Sequence, residues 1–236
     1  MIASTREMLR VGDFILRADS GYSAIGEDRP TTDGEVAVLT LAAVSTGAFR
    51  PEKHKAVTGG ESAKLQVFPK KDRILISRSN TPDFVGAVVY VSDDYPNLFL
   101  PDLIWQLEPK HDSHVSMPWF CYFLQSSYGR AKIRKIAVGS SSSMVKIGKQ
   151  AFLNIELSVP PLSEQRKIAD ILSTWDRAIG TAEQFIASLQ VRKRGLMRQL
   201  LIPRDGTGQP LVLQRDVRRS RIKGTGDTGY AGHGEG

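Results

Sequence analysis

The chain has 236 residues, of which 41% are apolar and 24% are charged, and this composition is ordinary for a globular protein with a buried core. It contains no run of 18 apolar residues and no apolar signal core near Met1, so we expect neither a membrane span nor secretion. A single cysteine, Cys121, excludes an intrachain disulfide and fits a reducing, cytoplasmic setting. The net charge of +7 favours a polyanionic partner.

Residues 1–160 are predicted to form one mixed domain of strands and helices. Runs of β-branched residues bounded by turn formers predict strands, and apolar or basic helical patterns predict two helices. The predicted strands are Glu35–Leu41, Arg73–Ser77, Ala87–Val91 and Ile155–Val159; the helices are Met117–Gln125 and Ser127–Ala137; loops are expected at 58–61, 77–83 and 139–144.

A one-sided basic stretch lies inside this otherwise balanced domain. No acidic residue occurs between Asp112 and Glu156, although residues 1–161 as a whole hold 19 Lys and Arg against 17 Asp and Glu. Such a stretch is typical of a surface that faces phosphates, although a solvated helix face would look the same. The cations in it are Arg130, Lys132, Arg134, Lys135, Lys146 and Lys149.

Two short polar segments are candidate DNA contacts. Arg78, Ser79, Asn80 and Thr81 follow a predicted strand and include the side-chain types that read guanine and adenine edges. The alternative is a turn in which Asn80 caps its own backbone. Ser140, Ser141, Ser142 and Ser143 offer hydroxyl groups for phosphate oxygens, and the alternative is a flexible linker.

A domain boundary is predicted at the two prolines Pro160 and Pro161, which can continue neither a strand ladder nor a helix. Ser163 is the expected N-cap of a long helix within residues 161–202. At 1.5 Å per residue this helix would span roughly 55–60 Å. Residues 203–236 are rich in Gly, Arg and Asp and are predicted to be disordered.

Apolar residues in the long helix recur at steps of three and four, which is the spacing of a coiled coil. This seam could pack on the chain's own domain, but its length favours a helix from another chain. Lys193 interrupts the seam. Its members are Ile168, Leu172, Trp175, Ile179, Ala182, Ile186, Leu189, Leu196 and Leu200. The predicted fold is therefore α+β, a mixed domain followed by one long coiled-coil helix and a disordered tail.

No catalytic or metal-binding motif is found in the sequence. Gly148-Lys149 lacks the rest of a phosphate-binding loop. Asp102 and Glu108 superficially resemble a metal-dependent nuclease motif, but they are too close in sequence to lie at the ends of adjacent strands. His111 and His114 have no further Cys or His nearby. We therefore assign no catalytic residue, no metal ligand and no cofactor to this chain.

The helix entry resembles that of type I restriction–modification specificity subunits. Pro160–Ser173 reads PPLSEQRKIADILS, which is similar to the family's PPLxEQxxIAxIL pattern, and Lys193–Leu201 is similar to the end of the same helix. Asp72–Arg78, which reads DRILISR, resembles the family's GDILISR strand, with Lys71 in place of the glycine. Gly12-Asp13 and the serines after Gly139 also resemble the family, and the likeness covers about residues 10–202.

This resemblance implies a non-catalytic subunit that recognises double-stranded DNA. Residues 1–160 would be the target-recognition domain, and the helix would scaffold the modification (M) and restriction (R) subunits. S-adenosylmethionine, ATP and Mg²⁺ would be used by those partners. Typical members have two recognition domains and two long helices, so this chain resembles a half-subunit that pairs with a second copy or another half-subunit. The alternatives are a coiled-coil adaptor without specific DNA recognition and a stand-alone nuclease.

Overall fold

The computed structural model describes residues 6–141 and 144–201 of the chain. Two compact units are present, residues 1–178 and residues 179–236. The first unit contains all the strands and the short helices, together with the start of the long helix. The described part of the second unit is the remainder of that helix.

The elements follow one another along the chain with short connections. The strands are β1 Glu7–Arg10, β2 Ile15–Ser20, β3 Gly26–Glu27, β4 Ala37–Leu39, β5 His54–Val57, β6 Arg73–Ser77, β7 Ser79–Asn80, β8 Val88–Val91, β9 Leu98–Phe99, β10 Ile104–Pro109, β11 Ala137–Ser141, β12 Met144–Ile147 and β13 Glu156–Val159. The helices are α1 Val11–Phe14, α2 Met117–Gln125, α3 Ser127–Ile136, α4 Lys149–Leu153 and α5 Leu162–Leu201, with 3-10 turns at Leu41–Ala43 and Glu61–Lys64.

A central antiparallel sheet, in the order β2-β10-β6-β8, has a hydrophobic core on each face. Successive side chains of a strand point to opposite faces, so in β6 Ile74 and Ile76 enter one core and Leu75 enters the other. The first core also contains residues of α2 and α3, such as Phe120 and Ile133. Because β6 is buried on both faces, its sequence reads as a continuous apolar run.

Three smaller sheets complete the first unit. The second core includes Leu39 of the sheet β3-β5-β4-β9, in which only the β4–β9 pair is parallel. The first and last strands of the described residues, β1 and β13, pair with each other in an antiparallel ribbon. The sheet β11-β12-β7 is built from strands that lie far apart in the sequence.

The start of α5 is packed against the first unit. Ala169 is buried in the first core, and Ile168 packs against it. The Tyr122 hydroxyl donates a hydrogen bond to Asp176 Oδ2 at 2.6 Å. Burial, and then this hydrogen bond, raises the pKa of Tyr122, so the hydroxyl keeps its proton and remains a donor.

The fold class is confirmed: a mixed, sheet-rich α+β domain is followed by a long helix. The strand Arg73–Ser77 and the helix Met117–Gln125 have the predicted bounds. Residues 203–236, which are predicted to be disordered, lie outside the described residues. In the described part of the chain, no helix has both the length and the apolar character needed to cross a membrane.

Four local predictions are wrong. The expected loop 77–83 contains the last residue of β6 and the strand β7, Ser79–Asn80. The run Glu35–Leu41 is a strand only over Ala37–Leu39, because the chain then enters a 3-10 turn. The expected loop 139–144 is instead largely a hairpin of β11 and β12. Ser163 is not the N-cap of α5, since the helix already begins at Leu162 and the Pro161 carbonyl accepts the N–H groups of residues 164 and 165.

Candidate nucleic-acid interface

The three stretches that the sequence singled out for DNA contact are neighbours in one small sheet. In β7, Ser79 and Asn80 pair with Lys146 and Val145 of β12. Strand β12 in turn pairs with β11, which contains the first two of the four serines. The basic helix α3 ends at Ile136 and leads directly into β11. The recognition loop (residues 78–81), the basic helix α3 and the start of the serine segment (residues 140–143) therefore meet at one place in the first unit.

Arg130 of the basic helix holds the turn that follows β7. Its Nη1 donates to the Val85 carbonyl at 2.9 Å, and its Nη2 donates to the Asp83 carbonyl at 2.8 Å. The guanidinium is partly buried, and this burial, followed by repulsion from Arg134, lowers its pKa. Arg130 was predicted to contact DNA, whereas its donors here position residues 81–85.

The other cations of the basic stretch differ in how far they reach solvent. Arg134, Lys135 and Lys146 are exposed, and among the described residues none of them has an ion-pair partner. Lys132 is half-buried, with its ammonium 4.9 Å from the centre of the Tyr128 ring. An exposed, unpaired cation can neutralise a phosphate without first breaking an internal contact.

The half-buried Arg78 side chain is bonded to Asp102. Its Nε donates to the Asp102 carbonyl at 2.7 Å, and its Nη2 lies 3.8 Å from Asp102 Oδ2. Its guanidinium also lies 6.0 Å from the Trp105 ring centre. Ser23 donates a hydrogen bond to the same carboxylate. Asp102 and Trp105 were not expected as neighbours of Arg78, because they lie on the far side of β8 in the sequence.

The next two residues of the recognition loop face inward. Ser79 is fully buried, and its hydroxyl oxygen has no hydrogen-bond partner in the described part of the chain. Asn80 Nδ2 donates to Ser77 Oγ at 3.2 Å, and Asn80 Oδ1 accepts the Thr81 N–H at 2.8 Å. Asn80 therefore forms the backbone-capping turn that was the alternative to base contact. Thr81 is exposed.

The serine segment can be placed only in part. The backbones of Ser140 and Ser141 belong to β11, and Ser141 pairs with Met144 across the hairpin. Ser142 and Ser143 lie outside the described residues. A Cβ atom on Gly139 would lie 3.0 Å from the Met144 carbonyl oxygen, so the hairpin leaves little room for a side chain there.

The seam of the long helix is exposed beyond its first residue. Ile168 packs against the first core, but the large seam residues from Leu172 to Leu200 are between 38% and 81% exposed. In the second unit, other apolar side chains that are exposed near the seam include Phe185 and Met197. This helix therefore presents an apolar face that the described chain does not cover.

The two carboxylates of the nuclease-like pattern are engaged separately. Asp102 contacts Arg78, as described above, and Glu108 forms ion pairs with Arg17 at 2.6 Å and Arg73 at 3.6 Å. Since β10 begins at Ile104, Asp102 and Glu108 are separated by most of an extended strand. Among the described residues, no group of three or more His, Cys, Asp or Glu side chains is arranged to hold a metal ion.

Comparisons with known proteins agree on one family. The family model described as "Type I restriction modification DNA specificity domain" matches residues 20–190. A Methanocaldococcus jannaschii protein named as a type I restriction enzyme MjaX specificity subunit is 27% identical over 127 residues, which are 54% of this chain and 29% of that protein. The type I restriction enzyme MjaVIII specificity subunit of the same organism is 44% identical over 54 residues, or 23% of this chain and 13% of that protein.

The fold is also similar to solved structures. The S subunit of a type I restriction–modification system from M. genitalium superposes with a TM-score of 0.58 at 16% identity, covering 84% of this chain and 46% of that chain. A chain from a study of assembly and conformational transition of the type I R-M system gives a TM-score of 0.54 at 16% identity, covering 83% and 44%. This chain therefore spans less than half the length of these relatives.

Proposed function

We propose a function from one premise: the chain belongs to the family of type I restriction–modification DNA specificity subunits. In this proposal the first unit binds one half-site of double-stranded DNA. The observation that carries it is the convergence of α3, the β11–β12 hairpin and the turn after β7 on one small sheet. Exposed cations without internal partners lie there, and the phosphate backbone supplies most of the attraction for such a surface.

The roles within this surface follow from exposure. Arg134, Lys135, Lys146 and the half-buried Lys132 are proposed to contact phosphates, and the serines after Gly139 to add hydroxyl donors. The exposed Thr81 and the partly exposed Arg78 are the proposed base contacts from the recognition loop, and Arg78 would have to exchange its contact with the Asp102 carboxylate for a base. Ser79, Asn80 and Arg130 are proposed to support this loop from inside, because their polar groups are buried or already bonded within the chain.

Salt dependence of binding tests the DNA surface. The probe is a fluorescent 40-bp duplex of random sequence, titrated at several salt concentrations. Arg134→Ala and Lys146→Ala should each weaken binding and reduce the slope of log K against log[salt] by about 1. The matched control is Lys55→Ala, which removes an exposed cation from β5 in another sheet and should leave the slope unchanged. Wild-type binding that does not depend on salt would contradict the proposed phosphate contacts, and absence of duplex binding would favour an adaptor without DNA recognition.

The exposed seam is proposed to bind the long helix of a second copy of this chain. A homodimer is two-fold symmetric, so two identical recognition domains would read inverted half-sites. The seam has the spacing of a coiled coil, and its large residues are exposed in the described chain. Another half-subunit with a similar helix would meet the same chemical requirement.

Light scattering coupled to size exclusion tests this pairing. The wild-type chain should elute as a dimer at micromolar concentration, and Ile186→Glu should shift it to monomer by placing a charge in the seam. Gln184→Glu introduces the same charge on the same helix outside the seam and should remain dimeric. A monomeric wild type would refute the self-pairing, whereas a dimeric Ile186→Glu variant would place the interface elsewhere.

The modification and restriction subunits are proposed partners, and S-adenosylmethionine, ATP and Mg²⁺ are proposed to act in those subunits. Co-purification with a modification subunit encoded nearby, followed by genome-wide mapping of methylated bases, tests this assembly. A gapped palindromic motif would support a homodimer, and an asymmetric bipartite motif would support a second, different half-subunit. DNA cleavage by the purified chain with Mg²⁺ alone, abolished by Asp102→Asn, would instead establish a nuclease.

A further inference from the structure

Phe84 is an exposed apolar side chain on the turn after β7, which is part of the proposed DNA surface. Phe84 is 46% exposed at the tip of the turn formed by residues 81–86. The same turn is held by Arg130, whose neighbour Arg134 is one of the exposed cations. The exposed part of this phenylalanine neither neutralises phosphate nor stabilises the core, and it stands on a turn whose carbonyls bind Arg130.

The backbone under Phe84 is held on all sides. Its N–H donates to the Thr81 carbonyl at 3.0 Å, and its carbonyl accepts the Ala87 N–H at 3.0 Å. Arg130 binds the carbonyls immediately before and after it. Val85, the next residue, is buried in the first core. The backbone that carries the Phe84 ring is therefore fixed by hydrogen bonds on both sides.

The following glycine shows how closely this turn lies against α3. Gly86 has a φ of 69°, a conformation that L side chains rarely adopt. A Cβ atom there would overlap the side chain of Ile133. Its N–H donates to the Ser77 carbonyl at 2.7 Å, which closes the turn against the end of β6. These contacts fix the backbone of the turn against β6 and α3.

We propose that Phe84 is an apolar wedge that enters between two base pairs of bound DNA and unstacks that step. This inference rests on the proposed DNA-binding function. Proteins that distort DNA commonly insert a phenylalanine or an aliphatic side chain between base steps while nearby cations hold the backbone. Unstacking costs free energy, so the wedge must be braced, and the bonded turn provides that brace.

Local unstacking on a bound duplex tests the wedge directly. A high-affinity duplex is first selected from a random pool with the wild-type chain, and 2-aminopurine is then placed at each position in turn. Wild-type binding should raise the fluorescence severalfold at one step, and Phe84→Ala should abolish that rise while weakening binding about tenfold. Phe84→Leu keeps an apolar wedge and should retain most of the signal. Ile25→Ala, which truncates an exposed apolar side chain in the connection before β3, should change neither readout.

The outcomes separate the wedge from the DNA-binding function itself. If the wild-type chain binds no duplex, the proposed function fails and the wedge fails with it. If it binds with the expected salt dependence but no position becomes unstacked, or if Phe84→Ala keeps the signal, only the wedge is refuted. Urea unfolding of each variant checks that it is folded. Because Phe84→Leu keeps an apolar side chain at the site, loss of the 2-aminopurine fluorescence rise in a folded Phe84→Leu variant would also refute the wedge.

Discussion

The hydrogen bonds of Gln165, in the first turns of α5, allow a direct test of what stabilises the first unit. Gln165 is fully buried in the first turns of α5. Its Oε1 accepts the Ser116 N–H at 2.7 Å, and its Nε2 donates to the Pro160 carbonyl at 2.8 Å and the His114 carbonyl at 3.2 Å. One side chain thus joins the helix, the end of the ribbon before it and the segment that leads into α2. We take Gln165→Leu as the perturbation, because leucine has a similar volume and no polar atoms.

The magnitude follows from what the substitution leaves unpaired. The Ser116 N–H loses its acceptor inside the protein, and a buried unsatisfied donor costs about 1–3 kcal/mol. The two carbonyls lose a donor, and each neutral hydrogen bond lost costs about 1 kcal/mol, while added apolar burial returns about 1 kcal/mol. We therefore expect Gln165→Leu to lower the free energy of unfolding of the first unit by about 2–4 kcal/mol.

Urea unfolding of the full chain, followed by circular dichroism and by tryptophan fluorescence at fixed protein concentration, measures this loss. Trp105 and Trp119 are buried in the first core and report on it. Gln184→Leu makes the same exchange at an exposed helical position and should stay within about 0.5 kcal/mol of wild type. A Gln165→Leu variant as stable as that control would show that the buried amide network contributes nothing, and the reasoning would be wrong.

Three further outcomes follow from single contacts. Asp102→Asn removes the carboxylate charge beside Arg78 and should raise the affinity for the fluorescent duplex severalfold. Unchanged or weaker binding would contradict a DNA-facing Arg78. Gly86→Ala should lower the unfolding free energy by about 2 kcal/mol or more, as measured in urea, because its φ is positive and α3 leaves no space. The Ile25 N–H, with neighbouring polar groups, lowers the pKa of Glu61 to about 2 in the folded chain from 4.5, so its stabilisation is complete above pH 4.5 and is lost as the pH falls towards 2. Glu61→Gln should remove that part of the acid-unfolding profile, and an unchanged profile would contradict the assignment.

The sequence predicted best those elements whose signal is local. The strand Arg73–Ser77 is apolar on both faces because a core lies on each side, and the helix Met117–Gln125 carries its proline in the first turn, where a helix tolerates it. The long helix was visible from its apolar spacing and from the prolines before it. Its first residue was predicted two residues too late, because the Pro161 carbonyl rather than a side-chain cap supplies the first acceptor.

The site was harder to predict because its contacts are between distant segments. Nothing local in Ser79-Asn80 indicates a strand, since these two residues become one only by pairing with β12, more than sixty residues later. The serine segment likewise reads as a loop until β11 finds β12 beside it. Phe84 was not singled out either, although the Pro-Asp-Phe-Val-Gly sequence around it combines turn formers with an aromatic residue, a signal that could have indicated a presented side chain.

The basic helix shows why counting charges overstates such a site. Arg130 and Arg134 lie one helical turn apart and look equivalent in the sequence, yet the first is committed to two backbone carbonyls and the second is exposed. A committed guanidinium releases few counterions on binding, because moving it to a phosphate would leave those carbonyls without donors. Lys132, whose ammonium lies over an aromatic ring, is intermediate. The salt dependence of DNA binding should therefore be set by the exposed cations and fall below the value implied by every Lys and Arg in the acid-free stretch.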